Sequence, residues 1–196
     1  THFHSPDDAP ATMAVQWERF QNAVSALPSR PPLVHAASSA AALRDRRFAA
    51  DMVRPGIFLY GGCAGGQTPR TALRLHARVV SVRTLAAGES VSYGARWAAE
   101  TPARVATLGI GYADGIIRSL GNRGRVHLGG GACRMVGAVT MDMTMVLVEG
   151  QVAPGDVAIL LGGEITLDEQ AALAGTIGYE LLTSISARVI RRYGNP

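Results

Sequence analysis

The sequence predicts an α/β segment followed by a mostly β segment. Up to residue 69, one long apolar stripe at helical spacing and several short strand-like runs alternate, the pattern of βα units on a parallel sheet. From about residue 71, strand-like runs succeed one another with Gly, Pro and Asn between them, as in a β barrel or sandwich. The glycines concentrate after residue 55, where turns between short strands would use them.

Taken in order, "THF" (Thr1–Phe3) reads as the end of a strand. "APATMAVQWERFQNAVSAL" places Met13, Trp17, Phe20, Val24 and Leu27 on one helical stripe. Pro10 suits a first helical turn, and "LPSRPP" stops the helix. "PLVHA" is a short buried strand, "SSAAALRD" opens a helix, and "DMVRPGIFLYGG" is a strand-like run broken by glycines. The linker "CAGGQTPR" divides the chain into segments 1–69 and 70–196. Beyond it, "LHARVVSV", "RVATLGIGY", "GRVHL", "CRMVGAVTMDMTMVLV" and "GDVAILLG" contribute to about six strands. Tyr93 of "ESVSYGARW" falls in a strand-like alternation, and Met141 and Asp142 fall inside a strand run. The one helix expected here is "TLDEQAALAGT", where Thr166 and Glu169 form a capping box.

Composition narrows the function classes. The net charge is +4, and all 19 basic residues are arginine; the chain has no lysine. The arginines are scattered and no basic run is interleaved with aromatics, which argues against nucleic-acid binding. Cys63 and Cys133 stand far apart without metal-ligand spacing, so reduced thiols in a cytoplasmic protein are the plainer reading and no metal is expected. No apolar run approaches the roughly 20 residues that span a bilayer, and "THFHSPDDAP" is no signal peptide. The first residue is Thr1, and the expectation is that the chain is a piece of something longer, entered mid-fold.

Several groups are able to do chemistry, each with a bland counterpart. Arg54 stands at the end of an apolar run; a lone arginine there more often snorkels from an edge, but it also suits a charge aimed into a site. Gly56 lets a ligand approach the backbone, and the Ile57 amide is placed to meet an anion. Ser38 and Ser39 open a helix directly after a strand, which is first of all an N-cap signature. The same arrangement suits phosphate, and two such strand ends in succession match the phosphate cradle of (β/α)8 barrels. Tyr112 and Asp114 in a glycine-flanked turn, and Met141 with Asp142, are singly more often structural.

The combination is more specific. "THF", "LPSRPPLVHAASSAAAL", "DMVRPGIFLYG", "VSYGARW", "GIGYADG", "VGAVTMDM" and "TIGYE", in this order and spacing, resemble the alanine racemase family over essentially the whole chain. The resemblance implies a pyridoxal-phosphate enzyme with an N-terminal (β/α)8 barrel and a β-rich C-terminal domain, acting as a head-to-tail homodimer. Segment 1–69 would then be the last strands and helices of the barrel, and segment 70–196 the β domain. By the resemblance, Tyr93 exchanges the α-proton on one face of the substrate. Arg54 faces the pyridine nitrogen, His35 holds Arg54, and His2 packs by the cofactor ring. Ser39, Gly56, Ile57 and Tyr179 hold the phosphate. Met141 meets the substrate carboxylate through its amide, and Tyr112 and Asp7 line the entrance. Tyr93, Tyr112 and Met141 serve the partner subunit's site. Two positions depart from the family pattern. Ser38 replaces a common asparagine, and Ala138 replaces an entrance arginine, a change that bears on strict alanine specificity.

The chemistry explains these residue types. Racemisation needs a proton-transfer group on each face of a planar carbon. A tyrosine used as a base must be brought down from its ordinary value near 10. An arginine opposite the ring nitrogen leaves that nitrogen unprotonated and moderates the electron sink, which disfavours transamination. The second proton-transfer group in the family is the lysine that also carries the cofactor. The chain having none, the expectation is a C-terminal half whose companion N-terminal half supplies the amine. The alternatives are a broad-specificity amino-acid racemase of the same scaffold, and a non-catalytic remnant or binding module.

Overall fold

The stripe over residues 13–27 becomes the first helix, α1 (Thr12–Ser25), in the computed structural model, which describes residues 1–194. The last two residues of the expected β segment therefore lie outside the described residues. Chain contacts divide the protein into two compact units, Thr1–Arg70 and Thr71–Pro196.

In the first unit α1 buries Met13 and packs Trp17 and Phe20 against a cluster of Phe3, Ala36, Ala37, Ala41 and Phe48. The rings of Phe3 and Phe48 meet edge-on at 5.1 Å, and those of Trp17 and Phe48 at 5.9 Å, an arrangement that adds to plain apolar burial. The alanines of β1 (His35–Ser38) are fully buried. After β1 come α2 (Ser39–Arg44), a 3-10 turn at Arg46–Phe48, β2 (Met52–Arg54) and a second 3-10 turn at Ile57–Tyr60. β1 and β2 are parallel, with His35 opposite Met52 and Ser38 opposite Arg54. Asp51 locks this pairing at its start: its carboxylate accepts from the Val34 N–H at 2.8 Å and from Arg30 at 2.5 Å.

Three details differ from the sequence expectation. Thr1–Phe3 is not a strand, although Phe3 is buried. Pro10 precedes the helix, and Leu27 lies beyond its end and is exposed. The strand expected over "PLVHA" begins only at His35: Pro32 donates no ladder hydrogen bond, and the Val34 N–H is spent on the Asp51 carboxylate.

The second unit is a closed antiparallel barrel. Its strands are β3 (Leu75–Leu85), β6 (Ala103–Leu108), β7 (Arg125–Leu128), β8 (Gly131–Val136), β9 (Thr144–Val148) and β10 (Val157–Leu161), in the order β10-β3-β6-β9-β8-β7. Two short strands, β4 (Ser90–Val91) and β5 (Trp97–Ala98), form a separate hairpin between β3 and β6. Closure removes the exposed edges a six-stranded sheet would otherwise present. The seam between β10 and β7 carries one residue pair, Ile159 with His127. Gln170, buried to 1% exposure, laces that seam: its Nε2 donates to Arg125 O at 2.7 Å and to Leu160 O at 3.2 Å, and its Oε1 accepts from Arg125 N. Gln170 belongs to α3 (Leu167–Ala174), whose Thr166 cap accepts from Glu169 N at 3.1 Å. A second helix follows, α4 (Gly178–Ser184), where a single helix was expected. Among the described residues no helix is long and apolar enough to cross a membrane.

Candidate active site

In the first unit the carboxyl ends of β1 and β2 bring together most of the expected cofactor residues. Arg54, the last residue of β2, is half-buried and its two terminal nitrogens meet four acceptors. Nη1 bonds His35 Nδ1. Nη2 donates to Thr1 O at 2.9 Å and Ala36 O at 3.3 Å, and contacts His2 Nδ1 at 3.0 Å. A guanidinium has only donors, so both imidazoles offer Nδ1 as an acceptor and carry their proton on Nε2. All four acceptors are neutral, and among the described residues no carboxylate forms an ion pair with Arg54. Its charge is fixed in place without being cancelled.

Beside it, Ser39 opens α2 at 3% exposure. The expected N-cap is not made: Ser38 has no side-chain cap bond. Ser39 Oγ instead accepts from Gly56 N–H at 2.8 Å across the two strand ends. That bond leaves the hydroxyl proton able to donate to an anion. A Cβ placed on Gly56 would meet nothing within 4 Å, so this backbone is open to a ligand. Ile57, the next residue, is buried and starts the 3-10 turn. Asp7 is exposed, and its Oδ1 accepts from Gly65 N at 2.8 Å, which holds one side of the carboxylate within its own loop.

The remaining expected residues belong to the second unit. Tyr93 is 79% exposed and sits in a turn between β4 and β5, not in a strand. Ser92 before it has φ 67° and ψ 174°, a combination that costs a side-chain-bearing residue about 1–3 kcal/mol. Met141 and Asp142 likewise leave the expected strand: β8 stops at Val136 and β9 starts at Thr144. Gly137, at φ 74°, ends the ladder. The turn so formed is zipped to the Tyr112 turn, with Tyr112 N donating to Thr140 O at 2.9 Å and Ala113 N to Met141 O at 3.0 Å. Gly111 is obligatory there, since a Cβ would stand 2.3 Å from Thr140 O. Asp114 Oδ2 accepts from Gly111 N at 2.9 Å.

Two arginines that sequence reasoning did not single out complete this face. Arg188 bonds Asp142 at 2.7 Å and Asp114 at 3.2 Å, and its pKa is raised chiefly by the Asp142 hydrogen bond and by the Asp114 charge. The Arg118 guanidinium lies 5.8 Å from the Tyr112 ring centroid, within cation–π range. Nothing in linear spacing links residue 188 to residues 114 and 142. Tyr179, half-exposed, stands in the first turn of α4. Ala138 is buried at 9% exposure, and its carbonyl accepts from Ser92 Oγ at 2.7 Å.

The family model described as "Alanine racemase, C-terminal domain" matches residues 72–193. The chain belongs to the alanine racemase family. The model for the "Alanine racemase, N-terminal domain" matches residues 1–64. The alanine racemase of Chlorobaculum tepidum is 41% identical over 202 residues, covering 97% of this chain and 53% of that relative. The alanine racemase of Carboxydothermus hydrogenoformans is 43% identical, covering 98% of this chain and 57% of that relative. The crystal structure of the alanine racemase from Streptomyces lavendulae superposes with a TM-score of 0.93 at 33% identity, covering all of this chain and 55% of that one. That of the Bartonella henselae alanine racemase, with covalently bound pyridoxal phosphate, gives 0.90 at 32% identity, covering 98% and 55%. The chain thus spans about half the length of the curated relatives it matches.

Proposed function

We propose that this chain is the C-terminal part of a pyridoxal-phosphate-dependent alanine racemase, interconverting L- and D-alanine for peptidoglycan in the cytoplasm. One observation carries the reading: Arg54, charged and without a carboxylate partner among the described residues, is anchored by His35, His2 and two carbonyls beside the open Ser39–Gly56 pair. These residues fit pyridoxal phosphate. Ser39, Gly56, Ile57 and Tyr179 would hold the phosphate, Arg54 would face the ring nitrogen, and His2 would pack by the ring. Residues 1–69 are then the end of a (β/α)8 barrel and residues 70–196 the β domain.

Pyridoxal phosphate, when bound, supplies the electron sink that lets an amino acid release its α-proton. The protein's own groups do the rest. A guanidinium holds its protons at working pH, so Arg54 presents no transferable proton to the ring nitrogen. The Ser39 hydroxyl, its oxygen already engaged by the Gly56 amide, has its proton available for an anion. Tyr93 moves the α-proton on one face. Met141 meets the substrate carboxylate, and Tyr112 and Asp7 line the approach. Tyr93, Tyr112 and Met141 serve the site of a second copy in a homodimer. The proton on the opposite face belongs to a lysine, and the 196 residues contain none. A companion N-terminal segment therefore supplies it.

Racemisation assays on this chain, with and without a lysine-bearing family N-terminal segment, test the reading in the presence of pyridoxal phosphate. Activity is expected only from the combination. Racemase activity from a single 20.5 kDa species, or none from a folded combination that binds the cofactor, contradicts it.

A further inference from the structure

Tyr93 projects from a loop whose backbone has no intrinsic reason to hold its shape. Ser92, Gly94 and Ala95 all have positive φ, at 67°, 72° and 46°, and two of them carry a Cβ. Such a conformation persists only where its surroundings impose it. The imposing surface is the end of β8. A Cβ on Gly137 would stand 2.8 Å from Ser92 Cβ and 3.0 Å from Val91 O, so these backbones are in direct contact. Ser92 Oγ donates to Ala138 O at 2.7 Å, which pins the residue before Tyr93.

The other side of the loop is pinned by one side chain. Asn122 lies in the turn before β7 at φ 63°, a region asparagine tolerates better than most residues. Its Nδ2 donates to Arg96 O at 3.0 Å, three residues after Tyr93. Its Oδ1 accepts from Gly137 N at 2.7 Å. Its carbonyl accepts from Arg134 of β8 through Nε at 3.2 Å and Nη2 at 3.1 Å, fixing the turn itself. One amide thus ties the far end of the tyrosine loop to the same strand end that Ser92 already grips. The task needs one donor and one acceptor on a short stem in left-handed backbone. Aspartate supplies only acceptors, and alanine neither.

We propose that Asn122 is a positioning residue for Tyr93: with Ser92 it holds the tyrosine loop against the end of β8, and so sets the Tyr93-side proton transfer without touching the substrate. This rests on the racemase reading given above. The role is specific to one face of the reaction, because the second proton-transfer group lies elsewhere.

The test uses the assembled, cofactor-loaded enzyme carrying Asn122→Asp, which keeps the Gly137 bond, or Asn122→Gly, which keeps the left-handed turn. Tyr93→Phe is the control. Two quantities are read: washout of α-deuterium from L-alanine and from D-alanine separately, and amide hydrogen exchange in residues 92–97. Tyr93→Phe is expected to slow washout from L-alanine far more than from D-alanine. Both Asn122 variants are expected to reproduce that asymmetry by about ten- to hundredfold, the effect of a displacement near 1 Å. They are also expected to speed exchange in residues 92–97 while β6 and β9 stay protected. An asymmetric Tyr93→Phe with symmetric Asn122 variants, or unchanged exchange in the loop, overturns the positioning role. A symmetric Tyr93→Phe overturns the one-face reading beneath it, and the proposal with it.

Discussion

At the scale of single residues, the site depends on how polar atoms are left after local bonding is complete. Arg54 spends its terminal N–H groups on two imidazole nitrogens and two carbonyls. A guanidinium so held has no freedom to swing away and, among the described residues, no counter-charge to mute it. Replacing Arg54 with Gln removes the charge and leaves a shorter, neutral amide. In the assembled enzyme this variant is expected to raise conversion of alanine to pyruvate, the transamination by-product, relative to racemisation. A rise of about tenfold corresponds to roughly 1.4 kcal/mol between the competing barriers. Pyruvate per racemisation event is the quantity to measure, and an unchanged ratio removes the electronic argument for arginine here.

At the scale of elements, β1 and β2 place Arg54, and Asp51 begins their pairing. Its carboxyl is held below the usual range first by the Val34 N–H bond and then by Arg30. A depressed carboxyl contributes stability that is present above its unfolded pKa and is lost as pH falls through the folded value. The first unit is therefore expected to lose stability below about pH 4 through this group. Asp51→Asn should lower stability at neutral pH and flatten that acid dependence, as read by thermal melts across pH. A variant that melts like the wild type at every pH contradicts the role.

Much of this scale was legible in the sequence: the α1 stripe, the βα alternation, the Thr166–Glu169 cap and the glycine-punctuated strands. What was not legible has physical causes. The alternation of β4 and β5 runs on through residues 92–96, so a turn set by positive φ at Ser92 and Ala95 reads as strand. Met141 is hidden in an apolar run whose break is a single glycine, Gly137. α4 is too short and too mixed to show a period. Arg188 reaches Asp114 and Asp142, and Asn122 reaches Arg96, only through the tertiary fold, while Asn122 meets Gly137 by extending the β7–β8 pairing. Contacts between segments far apart in the chain leave no trace in local spacing.

For the whole molecule, each unit keeps its own order of business. The first offers a guanidinium and the bonded Ser39–Gly56 pair on two parallel strand ends. The second offers an exposed phenol and the arginine that ties the Asp114 and Asp142 turns together. Neither holds an amine of the kind the family's reaction uses, since lysine is absent from all 196 residues. In the proposed reaction the two proton-transfer groups are accordingly divided between this chain and another segment. The most direct measurement is to treat the active, cofactor-loaded assembly with borohydride, which fixes pyridoxal phosphate to whatever amine carries it, and to locate the label by peptide mass spectrometry. A labelled lysine on the companion segment and no label within residues 1–196 are expected. Label anywhere within residues 1–196, or a fully active assembly with no labelled lysine at all, would contradict this division.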